Sequence, residues 1–156
     1  MLLRKGPDSL PRSWLVFYVA LFISIFVSII VREIVTNGVD PKHDITLLLT
    51  VISASFYFLV IKVAGYSGRN LQSLTAIFGV DAIITAIYLV GFITISQFAD
   101  DATTLSFVWL ITGWSVAVEG HIISRAIERP WAIGIAIAVA SYILLLFTYW
   151  QLATLP

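Results

Sequence analysis

The sequence predicts an all-α integral membrane bundle of five transmembrane helices, and three observations predict it. Five apolar stretches of 18 to 24 residues follow one another at 14–31, 45–64, 75–98, 105–123 and 131–150. Each is close to the ~20 residues that cross a ~30 Å hydrocarbon core at ~1.5 Å per residue. All five prolines, at 7, 11, 41, 130 and 156, fall between or beyond these stretches. Uninterrupted helices satisfy their own backbone where no water is present. Apolar residues make up 60 % of the chain and charged residues 12 %, about half the charged share of a soluble domain. A barrel would need shorter strands of alternating polarity.

Each element carries its own punctuation. Ser13 is placed to cap the first helix. That helix follows the basic Arg4, Lys5 and Arg12, yet 18 apolar residues exceed a signal-peptide core. Val31-Arg32-Glu33 offers no small-x-small cleavage site, so a retained anchor is expected. Asn37-Gly38 and Asp40-Pro41 mark turns before the second span. The third span follows a loop that runs from Tyr66 through Gly68 and Arg69. Thr103 or Thr104 is placed to cap the fourth, with Asp100 and Asp101 at its positive dipole end and Arg125 and Arg129 at its negative end. Pro130 suits the first turn of the fifth. Trp131 and Trp150 bracket that helix about 29 Å apart, matching two membrane interfaces. The longest connections hold 13 residues, too few for a water-soluble core. The chain is therefore one transmembrane domain, 1–156, with sequential neighbours packed antiparallel up and down.

Orientation follows from lysine and arginine. Arg4, Lys5, Arg12, Lys62, Arg69, Arg125 and Arg129 fall on one side, and Arg32 and Lys42 on the other. Seven against two over short loops predicts a cytoplasmic N-terminus and an outside C-terminus. A bacterial cytoplasmic (inner) membrane is the expected location.

Composition excludes several activities. The chain has no cysteine, which removes disulfides and thiol chemistry. Net charge is zero, so nothing favours nucleic acid. No phosphate-binding glycine loop, zinc-binding helix motif or serine elbow occurs. Asp40, His43 and Asp44 are ligand-type residues on a short loop, read as a solvated turn. No enzyme activity, cofactor or metal is expected.

Four ionisable residues lie within or at the ends of spans: Lys62, Asp81, Glu119 and His121. Intramembrane charges are the default place to look for function. All four are expected in the cytoplasmic third. On the fourth span Thr112, Ser115 and Glu119 share a face, whereas His121 lies with Gly113, Ala117 and Arg125. On the third span Asp81, Thr85 and Tyr88 form a second polar stripe. Lys62 is expected to extend its amine to the headgroups. Asp81, Glu119, Lys62, His121 and Arg125 form the candidate polar cluster. Small residues at Ala132, Ala136 and Ala140, with Gly134 and Ala138 beside them, and Gly113 and Ala117 on the fourth span, form a candidate packing face, because small residues four apart let helices approach in lipid.

The loop and helix around Tyr66, Gly68, Arg69, Asn70, Gln72, Thr75 and Gly79, with Trp114 to Ala126 two spans later, carry a resemblance. With five spans and an inside N-terminus, the chain resembles small bacterial inner-membrane proteins distantly similar to the Yip-type (Rab-interacting) membrane family. The resemblance covers roughly residues 60 to 130 and implies a fold count more than an activity. The long cytosolic N-terminal region and the acidic-glycine-proline signature of the eukaryotic members are missing. The function expected is that of a non-enzymatic scaffold, assembly factor or accessory subunit, bound to the bilayer and to other membrane proteins or to itself. The alternative is a small proton- or ion-coupled transporter or channel component using Asp81 and Glu119.

Overall fold

A computed structural model describes residue 10 and residues 12–36 and 44–153. Its helices are α1 (Trp14–Thr36), α2 (Asp44–Val63), α3 (Asn70–Ser96), α4 (Asp101–Ala126) and α5 (Trp131–Ala153), with a single 3-10 turn at Ser67–Arg69. All five are long and apolar enough to cross a membrane. The turn signals at 37–41 and the residues Arg4, Lys5, Asp40, Lys42 and His43 lie outside the described residues.

Polarity is inverted relative to a water-soluble bundle. Phe22 is 68 % exposed and Leu110 69 %, whereas Ser24 is 3 % and Ser141 2 % exposed. Outward apolar side chains and inward hydroxyls suit helices whose solvent is hydrocarbon.

Helix ends explain where apolar stretches and real helices differ. α3 begins at Asn70 and not near 75, because its polar first turns are covered: Asn70, Gln72, Ser73 and Thr75 are all buried. Gln72 Nε2 donates to the Leu10 carbonyl at 2.6 Å, and Arg12 Nε lies 3.4 Å from Gln72 Oε1. α4 begins at Asp101, earlier than expected, and its cap is Asp100 and not Thr103 or Thr104. Asp100 accepts from the Thr103 backbone N–H at 3.3 Å, satisfying one orphan donor of the first turn. Hydrogen bonds from Thr103, side chain first and then backbone, hold the Asp100 carboxyl below its ordinary value. Ser13 stands before α1 as expected, with Oγ 3.5 Å from Val16 N.

The turn after α2 is a Schellman closure. Gly65 takes φ +89°, Tyr66 N donates to Ile61 O and Gly65 N to Lys62 O, both at 3.0 Å. α4 closes similarly, Arg129 N donating to Ser124 O at 2.9 Å, but the left-handed position is held by Glu128 at φ 53°. That conformation is rare outside glycine and asparagine. The Glu128 carboxylate compensates by accepting from Arg69 Nη2 at 2.7 Å and Tyr66 OH at 3.1 Å. The two connections are thereby tied across one end of the bundle, here called the Arg69 end. The opposite end carries Asp100.

Helix order around the bundle departs from a sequential meander. The most extensive contacts are α4 on α5 and α1 on α3, α3 also packs on α4, and α2 leans on α5 and touches α1 only lightly. α1 and α3 run parallel, Phe17 meeting Phe78 and Ser24 meeting Asp81. Residue size at the crossings supplies the reason. A Cβ on Gly134 would collide with the Gly120 carbonyl oxygen and lie 2.7 Å from Ser124 Cβ. A Cβ on Gly120 would lie 2.8 Å from the Ile135 backbone. α4 and α5 therefore touch backbone to backbone. Between α3 and α4 the Phe107 ring fills the space beside Gly91 and stacks on Tyr88 at 6.3 Å.

The packing face of α5 is thus Gly134, Ala138 and Ser141, all buried. Ala132, Ala136 and Ala140, the main stripe of the face expected from the sequence, are exposed, as is Gly113, and Ala117 is only partly buried. Both stripes have small residues at helical spacing, but only the one containing Gly134 permits the approach to Gly120 that α4 requires.

Candidate functional site

All five helices carry hydroxyls or carboxylates on the face they turn to the bundle axis. α1 presents Ser24 and Ser28, one turn apart. α2 presents Thr46, Thr50 and Ser53, with Tyr57 one turn further. α3 contributes Asp81, Thr85 and Tyr88, and α4 contributes Thr112, Ser115 and Glu119. α5 closes the ring with Ala138, Ser141, Tyr142 and Leu145. Together they enclose a partly open chamber of about 470 Å³, within the size range of small-molecule sites.

Both carboxylates are held by hydroxyl donors from other helices. Ser24 Oγ donates to Asp81 Oδ2 at 2.5 Å, joining α1 to α3. Tyr57 OH donates to Glu119 Oε2 at 2.5 Å, joining α2 to α4. Ser115 Oγ, one turn earlier on α4, donates to Glu119 Oε1 at 3.1 Å. The bonds from Ser24 and Tyr57 have the length of charge-assisted pairs, whereas that from Ser115 is an ordinary one. Among the described residues, no lysine, arginine or histidine lines the chamber. Arg32, one turn beyond Ser28, reaches Thr46 Oγ1 at 3.4 Å at the far end.

One side of the chamber is sealed. Tyr57, Ile61, Leu74, Ile77, Phe78, Ile122, Ile123, Ala126 and Ile127 form a buried apolar cluster toward the Arg69 end. Asp81 and Glu119 sit at its boundary. Asp81 is eleven residues along α3 from Asn70, about 16 Å at 1.5 Å per residue, and so nearer mid-helix than its place in the apolar stretch suggested. In the other direction the lining continues to Thr46, Tyr88, Val108 and Leu145.

The five residues of the expected polar cluster do not meet in one place. Asp81 and Glu119 share the chamber. Lys62 lies exposed in the last turn of α2. His121 and Arg125 line a separate pocket at the Arg69 end. Sequence reasoning did not include Ser24, Ser28 and Tyr57, although a signal was present. Ser24 and Ser28, and Thr46, Thr50, Ser53 and Tyr57, recur at helical spacing within apolar spans.

No family model, no curated protein and no solved structure matches the chain, and no family is identified for it.

Proposed function

We propose that the chain is a small membrane transporter or channel component that takes a proton or small cation into the chamber, with Asp81 and Glu119 as its receiving groups. The observation that carries this reading is a chamber ringed by all five helices whose lining, among the described residues, holds two carboxylates and no cationic side chain, Arg32 meeting it through Thr46 at the far end. Two carboxylates in a low-dielectric space need a compensating positive charge, and a proton or bound cation supplies it. Hydroxyl oxygens from Ser24, Ser115 and Tyr57 hold the carboxylates in place, and those of Thr50, Ser53 and Thr112 add oxygen ligands of the kind hard cations use. The loose α1–α2 contact is the natural place for the chamber to widen.

The excess of lysine and arginine at the Arg69 end supports that end being cytoplasmic. The chamber then lies beyond a cytoplasmic apolar seal and faces the outer half of an inner membrane. Purified protein in vesicles should pass protons or a monovalent cation down an imposed gradient, and Asp81→Asn should abolish it. Equal flux from wild type and Asp81→Asn would refute the reading.

A scaffold or accessory-subunit role is the second reading, supported by the exposed stripe of Ala132, Ala136 and Ala140 on α5. It predicts co-purification with a second copy or another membrane protein, lost on replacing Ala136 by Phe.

A further inference from the structure

We propose that the Arg69 end carries a binding site for a phosphate-bearing anion, built from Arg125, Arg129 and His121 around the α4–α5 turn. A pocket of about 560 Å³ is lined there by these residues together with Arg69, Glu128 and Trp131. Three guanidinium groups face one carboxylate, leaving an excess of positive charge. Glu128 is already engaged, accepting from Arg69 at 2.7 Å. Arg125 and Arg129 make no ion pair among the described residues, and His121 Nε2 is buried without a partner among them. A buried ring nitrogen without a partner is costly, and an anion's oxygen or a bound water would satisfy it.

The negative dipole end of α4 and the positive end of α5 meet at this turn, so the positive field comes from the side chains, while the first N–H groups of α5 open beside them as donors. The left-handed Glu128 reverses the chain there and brings Arg129 back beside the last turn of α4. Planar guanidinium forks match phosphate oxygens bidentately, which selects phosphate over a spherical anion. The pocket joins the ends of two candidate membrane spans, and Trp131 is 54 % exposed beside it. That is headgroup depth, where basic pockets between helices hold anionic lipid heads. The phosphate belongs either to such a lipid or to a soluble phosphate.

Native mass spectrometry of the purified protein with phosphatidylglycerol, with phosphatidylcholine, and with inorganic phosphate added to either tests this. Wild type should retain phosphatidylglycerol over phosphatidylcholine, and the double variant Arg125→Gln, Arg129→Gln should retain it roughly tenfold less. Lys62→Gln removes an exposed charge at the same end and should retain it as wild type does. Displacement of the lipid by inorganic phosphate shows that the phosphate alone is recognised. Resistance to displacement shows that the lipid's chains take part. A second double variant, Arg125→Lys, Arg129→Lys, keeps charge without the forks and should fall between wild type and the glutamine pair. Retention by the glutamine pair equal to wild type, or an equal loss in Lys62→Gln, would overturn the proposal.

Discussion

The two halves of the bundle use the same five helices differently. Toward the Arg69 end, isoleucines, leucine and phenylalanine interlock around Tyr57, Ile61 and Ile123, each at most 1 % exposed. Toward the Asp100 end the same helices turn serine and threonine inward and leave a chamber of about 470 Å³. The difference lies in side-chain size along single helical faces. On α2 the inward face runs Thr46, Thr50, Ser53 and then Tyr57 and Ile61, passing from small and polar to large. On α4 it runs Thr112, Ser115 and Glu119 and then Ile122 and Ile123. Lipid-embedded helices gain little from hydrophobic association with one another, so where bulk is absent the space stays open and the hydroxyls bond locally. Thr50 Oγ1 donates to Thr46 O at 2.8 Å and Thr112 Oγ1 to Val108 O at 2.9 Å. The carboxylates fall at the boundary, one side against packed hydrocarbon and the other facing the chamber.

The largest effect is expected at the α4–α5 crossing, which joins both halves. Gly134→Leu forces a side chain into Gly120 and Ser124, and should cost about 3 kcal/mol or more, since backbone must move. Ala136→Leu, on the exposed side of the same helix, should leave the thermal midpoint in detergent almost unchanged. Equal damage from both would mean that α5 packs through the alanine stripe after all.

Next in size is the boundary itself. Tyr57→Phe removes the donor to Glu119 Oε2 and should cost about 1–3 kcal/mol, the usual penalty for a buried polar group left short of a partner. Glu119→Leu together with Tyr57→Phe should cost less than the two separate losses summed, because each single change alone already removes the bond between them. Strict additivity in a double-mutant cycle would contradict the bond.

The smallest expected effect is at the surface tie of the Arg69 end. Hydrogen bonds from Arg69 and then Tyr66, with the nearby Arg69 charge, hold the Glu128 carboxyl below its ordinary value of 4.5. A depressed carboxyl stabilises the folded state fully above the unfolded value, and that contribution is lost as pH falls through the folded value. Stability should therefore drop slightly as the medium is acidified below about pH 4.5. Glu128→Gln should flatten that part of the pH–stability curve, and solvent exposure and salt keep the effect small. Glu128→Gly would remove the left-handed strain while losing the tie, so its melting shift measures the two against each other.

Much of the architecture was legible in the sequence, and the reason is physical. A bilayer fixes span length and forbids proline and charge inside, so apolar windows located all five helices. Their ends were less legible. Asn70 to Thr75 look like a loop by hydropathy, but tertiary cover from Leu10 and Arg12 makes them helix. Helical phase separated Glu119 from His121 correctly, and the structure places them in different cavities. Depth along the membrane did not identify neighbours, because Lys62, Asp81 and His121 occupy different sides of their helices. Within the small-residue surface of α5, the sequence did not say which stripe faces α4 and which faces outward. Ala132, Ala136 and Ala140 satisfy the small-residue spacing, but the sequence of one helix does not say which stripe its partner's Gly120 requires.

A chamber sealed at the Arg69 end and reached from the Asp100 end is directly testable by cysteine accessibility. The chain has no cysteine, so single substitutions report without background. Thr112→Cys places a thiol in the chamber lining, while Gly68→Cys and Ala102→Cys mark the two ends. In vesicles of defined orientation, a membrane-impermeant thiol reagent should label Thr112→Cys only from the side that labels Ala102→Cys. Labelling of Thr112→Cys from the Gly68→Cys side, or from neither side, would contradict the account.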